Sequence, residues 1–207
     1  NTVIFFFSEN GRGMPGGKRW LYDSGLRVPL IIKIPGVTPA GGVSDQMISL
    51  IDLAPTLMIN LDIHTPEYMQ GQVFIGKRQN EPREYAFSAR DRIDNAEEKL
   101  RAITSKQFKY IKNYTYEIPF EEELEILPQF PTVKVMSKIK VNKKVESSTD
   151  KFLKKKAKEE LYDLKNDPYE IHNLAVRDYF EEDLNKMRKE FNKIESSVGG
   201  FLNVTES

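Results

Sequence analysis

The side chains best equipped for chemistry stand close together near the start of the chain. They are Glu9, Asn10 and Lys18, in the stretch SENGRGMPGGK. Glu9 and Asn10 are adjacent hard oxygen donors of the kind that bind Ca²⁺ or Mg²⁺. Lys18 follows in a loop loosened by Gly11, Gly13, Gly16 and Gly17. A cation beside a metal on such a loop can clamp an oxyanion. The same residues have a plainer use. An acid and an amide after a strand serve as turn or cap residues, and a lysine behind two glycines serves as a solvated loop residue. Spacing alone leaves both uses open.

The flanking elements decide whether these groups can be held in place. Thr2 to Phe7 is β-branched and aromatic without a charge, a pattern that predicts a strand buried on both faces. Val28 to Ile34 is a second such run, closed by Pro35 and Gly36. Ser8-Glu9-Asn10-Gly11 then falls past the carboxyl end of a strand, where open α/β sheets bind ligands. Asp52 is placed to cap a helix with Pro55 in its first turn and Leu53, Leu57 and Leu61 on one face. Tyr85 to Ala89 reads as a strand. Leu100 to Thr104 and Phe108 to Asn113 read as a hairpin turning at Ser105-Lys106. Glu160 to Leu164 is another strand, ended by Asp167-Pro168. Phe180, Leu184, Met187, Phe191 and Ile194 recur at helical spacing, and Gly199-Gly200 stops that helix. The expected architecture is α/β. Parallel strands of a main sheet occupy residues 1–75. A smaller antiparallel α+β subdomain with a closing helix occupies 76–207 and carries a charged insertion at 119–159. The boundary falls between Met69 and Glu84.

Composition narrows the functional classes. The 207 residues suffice for one sizeable core or a core with a satellite. Lysine plus arginine equals aspartate plus glutamate at 31 each, so global charge favours neither nucleic acid nor a membrane surface. Cysteine is absent, which removes disulfide and thiol chemistry. No apolar run approaches a membrane span. Locally the charge is uneven. Glu121, Glu122, Glu123 and Glu125 precede a lysine-rich stretch from Lys134 to Lys158 that either draws a polyanion or forms a solvated insertion. His64 and His172 read as surface or capping residues. The chain opens on a strand without a leading Met, and it reads as the carboxyl portion of something longer.

SENG followed by GKRWLYDSGLRVPLIIKIPG resembles the central signature of the type I sulfatases, in the alkaline-phosphatase-like superfamily. SLIDLAPTLM, RAITSKQFKYIKNY and ELYDLKNDPYEIHNLA resemble the family's following strand and helix, its antiparallel hairpin and the segment before its last helix, in that order. SARDRID, from Ser88 to Asp94, is similar to the N-sulfoglucosamine sulfohydrolase-like group.

The resemblance implies hydrolysis of a sulfate ester or sulfamate on a sulfated carbohydrate, with Ca²⁺ and a formylglycine nucleophile. It implies that Asn10 is a metal ligand and that Lys18 is the catalytic, sulfate-binding lysine. Glu9 stands where the family has an aspartate, so its carboxylate lies one methylene further out as a metal ligand. Arg27 is implied in substrate contact or loop anchoring. Arg90, Asp91 and Arg92 either face the sugar or form a structural ion-pair cluster. A periplasmic, secreted or lysosomal setting follows from the same likeness. The chain contains no C-x-P-S-R or S-x-P-S-R. The nucleophile and the family's early aspartates are therefore expected in a missing amino-terminal half, and the fragment alone is expected to be inactive. Two alternatives stand beside this reading. One is a phosphatase or phosphodiesterase of the same superfamily. The other is a non-catalytic fragment that grips polyanions through the lysines of 134–158.

Overall fold

The computed structural model describes residues 2–14, 16–93, 96–117 and 156–198, together with Pro131 and Val135. The acidic run at 121–125, most of the lysine-rich stretch and the glycines at 199–200 lie outside the described residues. The chain divides into two units, each discontinuous in sequence. One comprises Asn1–Glu9 with Val28–Ala86, the other Asn10–Arg27 with Phe87–Ser207.

In the first unit, β1 (Ile4–Phe7) pairs with β2 (Leu30–Lys33) in an antiparallel ribbon, with Ile4 opposite Lys33 and Phe7 opposite Leu30. The Ser8 amide donates to the Pro29 carbonyl at 3.4 Å and closes the ribbon's base. This corrects two expectations, that these strands are parallel and that β1 is buried on both faces. Phe6 is 62% exposed and Ile31 65%. An apolar strand is buried only if something covers each face, and within this unit the described strands offer only each other.

Helix α2 (Leu53–Asn60) follows a single 3₁₀ turn at Leu50–Asp52. Asp52 occupies the cap position as expected, yet its carboxylate does not cap α2. It accepts from the amides of Ser49 and Gln72, both at 2.8 Å, and pairs with Arg83. The leucines expected on one face are only partly covered, Leu53 and Leu57 being half-buried. Pro55 and Thr56 are buried, whereas Leu61 is largely exposed. The reason lies in the partner segment. Thr56 Oγ1 donates to the Gln72 carbonyl and accepts from the Phe74 amide, so residues 72–74 cover its side of the helix.

The second unit is built on a four-stranded sheet in the order β3 (Ala86–Ile93), β4 (Ala96–Thr104), β5 (Phe108–Asn113), β6 (Glu159–Asp163). Strands β4, β5 and β6 run antiparallel, with Ile103, Tyr110 and Leu161 in one cross-strand row. The β4–β5 hairpin turns where expected. Ser105 Oγ accepts from the Phe108 amide at 2.8 Å, which fixes the turn. Side chains alternate between the two faces. On the Tyr110 face lies α3 (Glu181–Val198), which buries Leu184, Met187 and Phe191 from one stripe. The Phe191 ring meets Tyr110 edge-on at 5.2 Å. Arg188 grips Glu159 through Nε at 2.8 Å and Nη2 at 2.5 Å. On the opposite face Leu100, Ala102, Ile111 and Tyr162 pack with Trp20, Leu21 and Tyr22. The sheet is thus a layer between one helix and one loop. Beyond β6, Asn173 and Leu174 continue the hydrogen bonding in place of a further strand. Leu161 N donates to Asn173 Oδ1 at 3.0 Å, Asn173 Nδ2 to Glu159 O at 3.0 Å, and Leu174 N to Leu161 O at 2.8 Å.

Candidate functional site

The loop from Asn10 to Arg27 carries Lys18, and its shape is set by its own backbone. Gly11 N donates to Gly25 O at 2.9 Å, Gly17 N to Met14 O at 2.8 Å, and Lys18 N to Arg12 O at 2.8 Å. Ser24 Oγ donates to Gly16 O. At Gly11 and Gly25 the two limbs touch so closely that a Cβ has no room. One on Gly11 would run into the Ser24 carbonyl, and one on Gly25 into the carbonyls of Gly17 and Trp20. The loop ends in α1 (Asp23–Leu26), a single turn.

Three consecutive residues, Trp20, Leu21 and Tyr22, are the loop's root in the core, while Lys18 is exposed. Burial of this root removes apolar surface from water at roughly 25 cal/mol per Å², so the loop is held by the sheet. Polar contacts then fix its direction. Tyr22 OH donates to Glu160 Oε2 at 2.9 Å, and Tyr162 OH donates to the same oxygen at 2.6 Å. Asn113 Nδ2 donates to Glu160 Oε1 at 2.7 Å. Burial, reinforced by Glu160, pushes the Tyr22 phenol well above its ordinary pKa. Lys109 Nζ, with no exposed surface, pairs with Asp23 Oδ1 at 2.5 Å and Glu170 Oε1 at 2.9 Å. Glu170 Oε2 also accepts from the Asp23 amide at 2.8 Å.

Nearer to Lys18 the anchor is Arg90. Its Nη1 donates to the Arg19 carbonyl at 3.0 Å, and its guanidinium lies 5.7 Å from the centre of the Trp20 ring. Arg19 has φ +85°, in the left-handed region that costs a non-glycine residue about 1–2 kcal/mol. Arg90 pairs with Glu98, and Glu98 also pairs with Lys156, all three side chains being buried. Two cations thus share one carboxylate. Desolvation holds the Lys156 pKa below its ordinary value despite Glu98.

The sequence-predicted residues are distributed as follows. Glu9 is exposed and ends its segment of the first unit; Asn10 is half-buried and opens a segment of the second. Lys18 and Arg27 are exposed. Arg27 Nη1 stands 4.0 Å from Asp23 Oδ2, and its amide donates to Asp23 O at 2.8 Å. Of the Arg90–Arg92 triplet, Arg90 is interior, and Asp91 Oδ1 accepts from the buried Arg101 Nη2 at 2.6 Å. Arg92 is exposed. The ion-pair arrangement weighed for this triplet is therefore present at Arg90 and Asp91. Lys156, counted in the lysine-rich stretch, is a core residue, and Lys158 lies over the Tyr116 ring at 4.7 Å.

A Ca²⁺ ion takes about six to eight oxygen ligands. Among the described residues no three His, Cys, Asp or Glu side chains gather as a metal site. Glu9 and Asn10 are chemically suitable donors but make up only part of such a shell. Sequence reasoning did not find Lys109, Glu160, Glu170 or the Glu98–Lys156 pair. A signal existed for Lys109, which alternates in register with Ile111 on the inward face of β5.

A solved structure described as a complex with its substrate D-glucosamine-2-N,6-O-disulfate aligns with 94% of this chain and 34% of its own, at TM-score 0.65 and 18% identity. The fold is that of the carboxyl-terminal part of alkaline-phosphatase-like sulfatases. A family profile described as "N-sulphoglucosamine sulphohydrolase, C-terminal" matches residues 16–131, more than half of the chain. The protein belongs to this family. An ulvan-active sulfatase of Formosa agariphila is 38% identical over the whole chain, which covers 35% of that relative. Human N-sulphoglucosamine sulphohydrolase is 25% identical over 93% of the chain and 41% of its own length. The chain spans about a third of the length of the first of these relatives.

Proposed function

We propose that this chain is the carboxyl-terminal part of a calcium-dependent sulfatase, hydrolysing a sulfate ester or sulfamate on a sulfated carbohydrate. The observation that carries the reading is the loop of 10–27. Its root is buried and hydrogen-bonded, yet it leaves Lys18 exposed beyond a fixed backbone. A lysine so held can meet the oxyanion of a sulfuryl group without reorganising, which is where electrostatic catalysis gains most. Asn10 and Glu9 would each offer an oxygen to a bound Ca²⁺ ion. Bound Ca²⁺ supplies Lewis-acid polarisation of the sulfate oxygens. Arg27 and Arg92, both exposed, serve substrate contact. The formylglycine nucleophile comes from outside this chain, which by itself gives no turnover. The substrate is a sulfated glycan of the ulvan or N-sulfoglucosamine type, handled in a periplasmic, secreted or lysosomal compartment.

The test uses the protein encoded by the whole reading frame containing this chain. Release of inorganic sulfate is measured from ulvan oligosaccharides and from N-sulfated glucosamine, beside a phosphate monoester. Lys18→Ala is expected to lower kcat/KM for sulfate release by about 10²–10³, with the melting temperature unchanged. Chelation is expected to abolish release and added Ca²⁺ to restore it. Undiminished release by Lys18→Ala, or faster cleavage of the phosphate ester, would sink the reading.

A further inference from the structure

We infer that Arg90 is a positioning residue for Lys18, holding the strained peptide of Arg19 rather than touching the sugar. The inference rests on the reading that Lys18 meets the substrate oxyanion, and it adds how that lysine is kept in place. Arg90 Nη1 donates to the carbonyl of Arg19, the residue that follows Lys18. Arg19 is held at φ +85°. A non-glycine residue persists in that region only where its surroundings over-determine it. Arg90 is itself fixed by Glu98, which Lys156 secures from its other oxygen. The line of contacts therefore runs from Lys156 and Glu98 through Arg90 to Arg19 and Lys18. The planar guanidinium presents Nη2 to the Glu98 carboxylate and Nη1 to the Arg19 carbonyl. Burial of its side chain to 2% exposure leaves Arg90 no surface to offer a ligand.

If Arg90 is removed, the Arg19 carbonyl loses that donor, and relaxation of its strained backbone would carry Lys18 with it. Misplacement of a reacting group by about 1 Å costs about a hundredfold in rate. A glycine at position 19 adopts φ +85° without steric cost, so the strain that Arg90 opposes would be absent there. This gives the inference a signature that a residue merely stabilising the fold would not show.

Two readouts are needed. The first is acrylamide quenching of Trp20, the sole tryptophan of the 207-residue chain, measured well below the melting temperature. The second is sulfate release by the protein of the whole reading frame. Arg90→Met is expected to raise the quenching constant at least twofold. It should lower kcat by about tenfold or more, with KM within about threefold. Adding Arg19→Gly should return both toward the parent values. If Arg90→Met does not fold, Glu98→Gln, which removes the carboxylate charge facing Arg90 and preserves shape, takes its place. Quenching and kcat both unchanged in a folded variant would overturn the inference. So would a double variant no better than Arg90→Met. A quenching response rescued by Arg19→Gly, in a protein whose sulfate release ignores Lys18→Ala, would uphold Arg90's hold on the loop and defeat the proposed function instead.

Discussion

Lys109 is a lysine with no exposed surface, matched by two carboxylates that approach it from different segments. Removing one partner of a buried ion pair leaves uncompensated charge, typically at a cost of about 3–5 kcal/mol. Lys109→Met is therefore expected to lower the unfolding free energy by about that amount, read from urea denaturation, because Asp23 and Glu170 would be left facing each other. A loss below about 1 kcal/mol would show that water already screens the cluster. At this scale the sequence was half legible. Lys18 could be singled out, because a lysine amid glycines after a strand announces an exposed cation. The role of Arg90 could not, because a sequence shows a charge but not its partner. Glu98 lies on the neighbouring strand, and Lys156 lies beyond a long stretch of other lysines. Among so many lysines nothing local distinguishes the one that is buried.

Elements were read best where local chemistry is self-sufficient. The β4–β5 hairpin follows from two β-prone runs and a serine able to bond across its own turn. The last helix follows from its apolar period and buries Leu184, Met187 and Phe191, whereas Ile194 is half-buried and Phe180 lies in the 3₁₀ turn before it. The first strand was read less well. A run such as IFFF specifies extended backbone, but its burial depends on neighbours, and Phe6 and Phe7 are in fact exposed. The leucines of α2 mislead in the same manner, because the covering segment bonds to Thr56 instead. The loop of 10–27 behaves as an element too, and its closure can be tested. Gly25→Ala places a methyl against two carbonyls. Overpacking of this kind costs about 1–3 kcal/mol. A lowered melting temperature with red-shifted Trp20 emission is expected, since the bond from Gly11 closes at residue 25. Wild-type emission and melting would show that the limbs are not in close contact.

For the molecule as a whole, the tyrosines define an alkaline limit. Tyr22, Tyr110, Tyr114 and Tyr162 are all raised above the ordinary pKa of 10.0, burial being the largest cause in each and a hydrogen bond to a glutamate adding to it. Groups with raised folded pKa values contribute stability that is complete below the unfolded pKa and is lost as pH climbs toward the folded value. These four phenols should ionise only as the protein unfolds, so absorbance at 295 nm should rise in a separate late phase that coincides with loss of circular dichroism. A single early phase would contradict the buried assignments. On the acid side the sign reverses. The hydrogen bonds from Arg188 hold Glu159 below the ordinary 4.5, so its contribution is complete above that pH and is lost as pH falls through the lowered value. Stability should therefore form a plateau between these limits. The far edge of β6 carries a slower vulnerability. A side-chain amide, Asn173, stands there in place of backbone, accepting from Leu161 and donating to Glu159. Amides age. Deamidation of Asn173 would exchange its NH₂ for a carboxylate oxygen facing the Glu159 carbonyl, and the sheet's margin would become a repulsive contact. Older preparations would then gain a site for edge-to-edge aggregation, accompanied by a mass increase of about one dalton.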